Sequence, residues 1–282
     1  MSHLFEKIEK PTLLLDEAAI RRNIQRMFQH ARQAGVTLRP HFKTHQSAEI
    51  GEWFREAGVT AITVSSLDMA LYFSDHGWTD ITIAFPANLR QRAALAELAN
   101  KVHLGLLVES VETIHQLAEV LDVPADLWIK IDVGAHRTGL AWNQPEQALQ
   151  VARCAQAAHP LHLRGLLTHA AQTYAGRGKE DVCQRYTESV ERINDLRRAF
   201  LQEGISPLAI SVGDTPGTSL CADLGPVDEI RPGNFVFYDT QQMQIGSCQW
   251  QDVAVALACP VVALHPERNE IITYGGAVHL SK

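Results

Sequence analysis

The sequence predicts an α/β chain of 282 residues, a (β/α)8 TIM-type barrel followed by part of an antiparallel β subdomain. Three observations predict it. About eight β-prone runs alternate with patterns that suit helices. Chemically suggestive residues fall at the carboxyl ends of many of these runs, where barrel enzymes keep their chemistry. After Tyr238 the helical patterns give way to β-prone runs around a turn.

In chain order, Pro11-Thr12-Leu13-Leu14-Leu15 reads as a short strand ending at Asp16, an N-cap. The helix from Glu17 to Ala34 carries Ile20, Ile24, Met27 and Phe28 at helical spacing and stops at Gly35. Strands are then expected over Leu38 to Lys43, Ala61 to Ser65, Ile81 to Phe85, Val102 to Val108, Leu127 to Val133, Leu161 to Thr168, Leu208 to Gly213 and Asp228 to Arg231. Several are nearly continuous apolar runs, as parallel strands covered on both faces must be. Helical patterns occupy Leu67 to His76, Leu89 to Ala99, Val111 to Leu121, Pro145 to Ala158 and Glu180 to Glu203. Val253 to Leu264 and Glu270 to Tyr274 are β-prone runs about a turn at His265 to Asn269. The expected segments are 1–16, a strand belonging to the β subdomain; 17–240, the barrel; and 241–282, the start of that subdomain. So short a β unit has little core, which leads us to expect an incomplete sequence or a partner chain.

The formal charge of -7 and pI near 6.0 argue against a nucleic-acid or anionic-membrane partner. No apolar run is long enough to cross a bilayer, and the start lacks the basic and apolar regions of a signal peptide, so a cytoplasmic location is expected. Cys154, Cys183, Cys221, Cys248 and Cys259 are odd in number and widely spaced; they are expected to be reduced and mostly packed.

The stretch Arg39-Pro40-His41-Phe42-Lys43-Thr44-His45 carries the first chemistry. Positive neighbours and any desolvation disfavour the ammonium form of a lysine here, leaving an amine nucleophilic near neutral pH, as a Schiff-base lysine must be. The same residues also suit a surface lysine after a strand. Asp132-Val133-Gly134-Ala135-His136-Arg137-Thr138-Gly139 ends a strand in a glycine-flanked turn, where Arg137 can offer a planar cation to an anion or sit in solvent. His169 and Tyr174, after the sixth strand and before a loop with Gly176 and Gly178, are candidates for proton transfer or ligand holding. A lone histidine in this context is more often a hydrogen-bonded structural residue, and His41, His45 and His136 share that alternative with His169. Ser211 to Thr218 and Arg231-Pro232-Gly233-Asn234 follow the seventh and eighth strands, the usual place of a phosphate cradle in such barrels.

Together, PTLLLD, RPHFKTH, DVGAHRTG, THAAQTY, SVGDTPGT and EIRPGNFVFYD resemble, in order, the fold-type III pyridoxal-phosphate enzymes of the D-threonine aldolase and D-serine dehydratase group, within the alanine racemase superfamily. The resemblance implies pyridoxal 5'-phosphate held by Lys43, with Lys43, His169 and Tyr174 catalytic. It implies His41, Arg137, Tyr174, Gly213, Asp214, Thr215, Arg231, Gly233, Asn234 and Tyr238 around the cofactor. Arg137 would meet the phenolate side of the ring, Arg231 the pyridine nitrogen, and the glycine turns with Tyr238 the phosphate. A divalent metal, zinc or manganese, is a further candidate, its ligands outside this sequence. Phe42, where relatives have a smaller residue, implies a changed pocket shape, and Ala171-Gln172 replaces a Gly-His pair of the dehydratases. The activity implied is a lyase acting on a D-3-hydroxy amino acid through a Lys43 Schiff base, in a homodimer. The alternatives are an amino-acid racemase using the same cofactor and a non-catalytic carrier of it; a metal-dependent barrel hydrolase fits least, because strand-end acidic residues are sparse.

Overall fold

A computed structural model describes residues 5–206 and 208–276; the first four residues of the expected N-terminal segment and residues 277–282 of the C-terminal one lie outside the described residues. Four of the barrel helices begin with the same local chemistry. A small polar residue leaves a strand end and caps the next helix, its side-chain oxygen accepting a first-turn N–H. Asp16 does this for α1 (Glu17–Gln33), Ser47 for α2 (Ala48–Glu56), Ser66 for α3 (Leu67–Asp75) and Ser110 for α5 (Val111–Ala118), where α4 is Arg92–Ala99. The apolar stripe of α1, Ile20, Ile24 and Met27, is buried against the strands, each side chain contributing about 1.5–3 kcal/mol.

The strands are β1 (Thr12–Leu15), β2 (Thr37–Leu38), β3 (Ile62–Val64), β4 (Asp80–Pro86), β5 (His103–Val108), β6 (Ala125–Asp132), β7 (Leu140–Ala141), β8 (Leu161–His169), β9 (Ala209–Gly213) and β10 (Glu229–Ile230). β2 to β10 form one parallel sheet in the order β2-β10-β9-β8-β6-β5-β4-β3, with the short β7, unforeseen in the sequence, paired to β6. A bridge between His41 and Thr63, with the Thr63 N–H donating to Pro40 O at 2.9 Å, joins the two ends of that order. The later helices are α6 (Pro145–Ala157), α7 (Gly178–Gln202), α8 (Pro216–Leu220) and α9 (Thr240–Ile245).

Some expectations shift. The run Leu38 to Lys43 is strand only at its start: Pro40 has no N–H for a ladder, and Phe42–Thr44 turns as a 3-10 helix. Tyr174 lies in a 3-10 turn, Ala171–Ala175, and the loop expected at Gly176 and Gly178 is short, giving way to α7 at Gly178. Val253 to Leu264 splits at Pro260 into β11 (Val255–Ala258) and β12 (Val261–His265). β11 pairs antiparallel with β1, and β12 with β13 (Glu270–Thr273). Val261, Val262, Leu264 and Ile271 are exposed on that hairpin. The expectation of reduced cysteines is corrected at one pair: α7 and the end of α8 bring Cys183 and Cys221 to a Cα separation of 5.5 Å, and they form a disulfide. Their spacing of 38 residues hid it.

The amino-terminal rim of the barrel is clipped by charge. His103 lies between Asp126, 3.1 Å from its Nε2, and Asp80, 3.3 Å from its Nδ1. Hydrogen bonding to Asp126 and then Asp80 raises its pKa to about 10. Since the folded value exceeds the unfolded value of about 6.5, this clip stabilises fully below that pH and is lost as pH rises through about 10. The ring is half exposed, so water screens much of the gain. The Tm difference between the protein and His103→Gln is expected to be largest near pH 6 and to close by about pH 10; a difference independent of pH would contradict the assignment.

Candidate active site

Alternation along the inward-facing strands sets the site, since side chains two apart share a face. On β9 and the residues after β10 this places Ser211 with Gly213 and Glu229 with Arg231, and the register pairs Glu229 with Ser211. On the edge leading from β2 it places Arg39 with His41. The chain then turns at Phe42–Thr44 and delivers Lys43 to the barrel mouth. One cavity there is lined by His41, Lys43, Arg137, His169, Tyr174, Gly213, Asp214, Arg231, Gly233 and Asn234, so most of the expected site residues converge.

Lys43 has its amine pKa lowered by desolvation first, then by Arg137 and Arg231. The expected source among its sequence neighbours was Arg39, but that residue points away, bound to Glu229 and Asp80. Burial, with Lys43 and Arg231 nearby, holds His41 well below its ordinary value. His169 is likewise lowered, to about 4; its Nδ1 carries the proton donated to Gly213 O, leaving Nε2 as a free acceptor. Tyr174 accepts the Thr215 N–H at 3.3 Å, and burial raises its pKa to about 12, so its phenol keeps its proton.

The two glycine turns meet. Thr215 Oγ1 accepts the Asn234 N–H at 3.2 Å, stitching the turn after β9 to the turn after β10. Asp214, raised to about 7 by burial, spends Oδ2 on Thr173 Oγ1 at 2.8 Å and Gly217 N at 2.5 Å, so its side chain shapes the turn. Among the described residues, the Asp214 and Gly233 N–H groups have no acceptor in the protein. A Cβ at Gly233 would lie 2.9 Å from His41 O, and one at Gly213 would lie 3.1 Å from the Arg231 guanidinium. Only glycine leaves room at these two places.

Two expected residues lie elsewhere. Thr215 is buried behind the cavity wall. Tyr238 lines a different cleft, its hydroxyl 3.0 Å from Ser219 Oγ and its ring facing Arg26. Phe42 points into the core against Phe54, Phe73 and Trp78 and does not shape the cavity, correcting that expectation. His45 joins the same aromatic cluster, and His136 is exposed. Sequence reading missed Lys130, whose buried amine donates to Ile131 O at 2.9 Å and has its pKa lowered to about 8 by burial and then Arg231. A lysine inside the apolar run Leu127 to Val133 was the available signal. It also missed the wall formed by Ala84, Phe85, Pro86 and Leu167.

The profile described as alanine racemase, N-terminal domain, matches residues 15–241, most of the chain. The chain belongs to this family. The D-threo-3-hydroxyaspartate dehydratase of Delftia sp. (strain HT23) is 30% identical to it, covering 98% of this chain and 73% of that protein. The D-serine dehydratase of Dictyostelium discoideum is 26% identical, covering 97% and 74%. The solved structure of the Delftia enzyme superposes with a TM-score of 0.87 at 29% identity, over 93% of this chain and 70% of that one. One of its variants was solved in a metal-free form.

Alanine racemase-like family members use pyridoxal 5'-phosphate. The donor set here fits it: an amine of lowered basicity, a buried guanidinium, and uncommitted N–H groups at two glycine turns. The cavity holds four cationic side chains, Lys43, Lys130, Arg137 and Arg231, against one carboxyl, Asp214, which suits an anionic ligand. Among the described residues no group of three or more His, Cys, Asp or Glu side chains is placed to hold a metal, whose ligands the resemblance puts outside this sequence, and no step is assigned to one. Among them also, no helix is long and apolar enough to cross a membrane.

Proposed function

We propose that the chain is a pyridoxal-phosphate-dependent lyase acting on a D-3-hydroxy amino acid. The observation that carries this is Lys43: its amine, its pKa lowered by burial and then by Arg137 and Arg231, opens into a cation-rich cavity floored by the two glycine turns. Dehydratases acting on D-serine and D-threo-3-hydroxyaspartate are its relatives over nearly the whole chain, and racemases are more distant.

Lys43 Nζ would hold the cofactor's aldehyde carbon, Arg231 its ring nitrogen, Arg137 its phenolate side, and the turns at Gly213–Asp214 and Gly233–Asn234 its phosphate. When bound, the cofactor draws electrons from the bonds at the substrate α-carbon. Lys43 Nζ, freed when the substrate amine displaces it, takes the α-proton. His169 Nε2, neutral and unprotonated, accepts a hydrogen bond from the substrate or takes a proton from its hydroxyl. Tyr174 offers its hydroxyl proton. In elimination the α-proton goes to Lys43 Nζ and the β-hydroxyl leaves as water with a proton from a neighbouring acid, giving a keto acid and ammonia after hydrolysis; in cleavage of the Cα–Cβ bond His169 Nε2 takes the hydroxyl proton and the α-carbon is reprotonated, giving an aldehyde and glycine.

A panel of D-serine, D-threonine and D-threo-3-hydroxyaspartate, each with and without a divalent metal, tests this. Keto acid with ammonia, or glycine with aldehyde, is expected from at least one. Solvent deuterium entering the α-carbon with no product would overturn it in favour of a racemase. The reading extends to a homodimer, supported by the exposed apolar hairpin of β12 and β13 and measurable by sedimentation, and to the cytoplasm as its setting.

A further inference from the structure

A column of buried charge runs up the barrel interior beneath the cavity. Asp80 and Glu229 both bind Arg39, at 2.6 and 2.5 Å; Glu229 Oε1 accepts from Ser211 Oγ at 2.6 Å; and Ser211 Oγ accepts from Arg231 Nε at 2.6 Å. Ser211 is fully buried, and Arg39, Glu229 and Arg231 are each less than a tenth exposed. Arg231 also donates Nη2 to Thr168 O. With Nε and Nη2 committed, Nη1 is the nitrogen left for whatever occupies the cavity that Arg231 lines.

A guanidinium on a flexible stem has many orientations, and a buried one needs both a countercharge and a geometric stop. Ser211 supplies the stop. Its hydroxyl has one proton, and because Glu229 takes it, the oxygen's lone pairs face Arg231. The carboxylate thus orients a hydroxyl that orients the guanidinium. Glu229 meets no cavity atom itself, and it is absent from the cavity lining.

We propose that Glu229, acting through Ser211, is the positioning residue for Arg231: it aims the uncommitted nitrogen of that guanidinium at the cofactor ring and so sets how tightly the cofactor is held. This rests on the cofactor reading above, and the experiment separates the two. The purified full chain is titrated with pyridoxal 5'-phosphate, following the visible absorbance band and its pH midpoint. The unsubstituted protein must first give a band; without one, the cofactor reading itself fails.

Given the band, Ser211→Ala keeps the Arg39–Glu229 pair and removes only the bridge. It is expected to raise the apparent Kd roughly 10-fold, as for a lost hydrogen bond to a charged group, and to move the pH midpoint. Glu229→Gln should weaken binding similarly. The double variant should bind no more weakly than the weaker single one, since the chain is cut once either link goes. If Glu229 serves only Arg39, Ser211→Ala will bind and titrate like the unsubstituted protein, and the proposal is overturned. Should Glu229→Gln fail to fold, Ser211→Ala alone decides.

Discussion

Replacing Lys43 by alanine is expected to abolish both the visible absorbance of the protein with pyridoxal 5'-phosphate and its turnover, the latter by at least about 10³-fold. No other group can substitute. Lys130 also reaches the cavity with a lowered pKa, but its amine is committed to Ile131 O and buried within β6. Lys43 is carried on the three-residue turn Phe42–Thr44, clear of the ladder. Because its side chain makes no ion pair among the described residues, its removal should leave Tm nearly unchanged, which separates a chemical loss from a folding loss. A persistent band in Lys43→Ala would refute the assignment of the anchor.

Loss of stability should be greatest at Arg39. Its guanidinium bridges Glu229 and Asp80, and its side chain is only 10% exposed. Arg39→Met leaves Glu229 buried without its paired guanidinium, hydrogen-bonded only to Ser211 and with Arg231 beyond it, and breaking such a pair costs about 3–5 kcal/mol. In a barrel of this size that is a fall in Tm of roughly 10 °C. The double variant Arg39→Met with Glu229→Gln should recover part of the loss, because the cost is chiefly that of the stranded charge. A single variant that melts within a degree or two of the original would show that water or a rearrangement satisfies Glu229 instead.

The barrel itself was legible because its causes are local. Alternating apolar runs and helical stripes, four of the helices opened by Asp16, Ser47, Ser66 and Ser110, are readable one segment at a time. The anchor at Lys43 and the glycine turns were legible for the same reason: strand ends mark the barrel mouth. What sequence could not supply was register. Glu229 meets Ser211 only because β9 and β10 pair in that frame. The cations that depress Lys43 come from Arg137 and Arg231, distant in sequence, and not from its neighbour Arg39. Phe42 was misread because a turn of three residues reverses which side chain faces the core. Tyr238 was assigned to the phosphate by its place in a motif, yet it stands behind the turn with Ser219. The bonded cysteines depend on how α7 packs beside α8, which no spacing reveals.

The ladder between β1 and β11 joins the first described strand to one that follows all eight strands of the barrel. On a ribosome emitting about 5–20 residues per second, Thr12–Leu15 must therefore wait roughly 10 seconds or more for its mate. Through that interval an extended leucine-rich edge is unpaired, and a nascent chain in this state is a natural client for a holding chaperone.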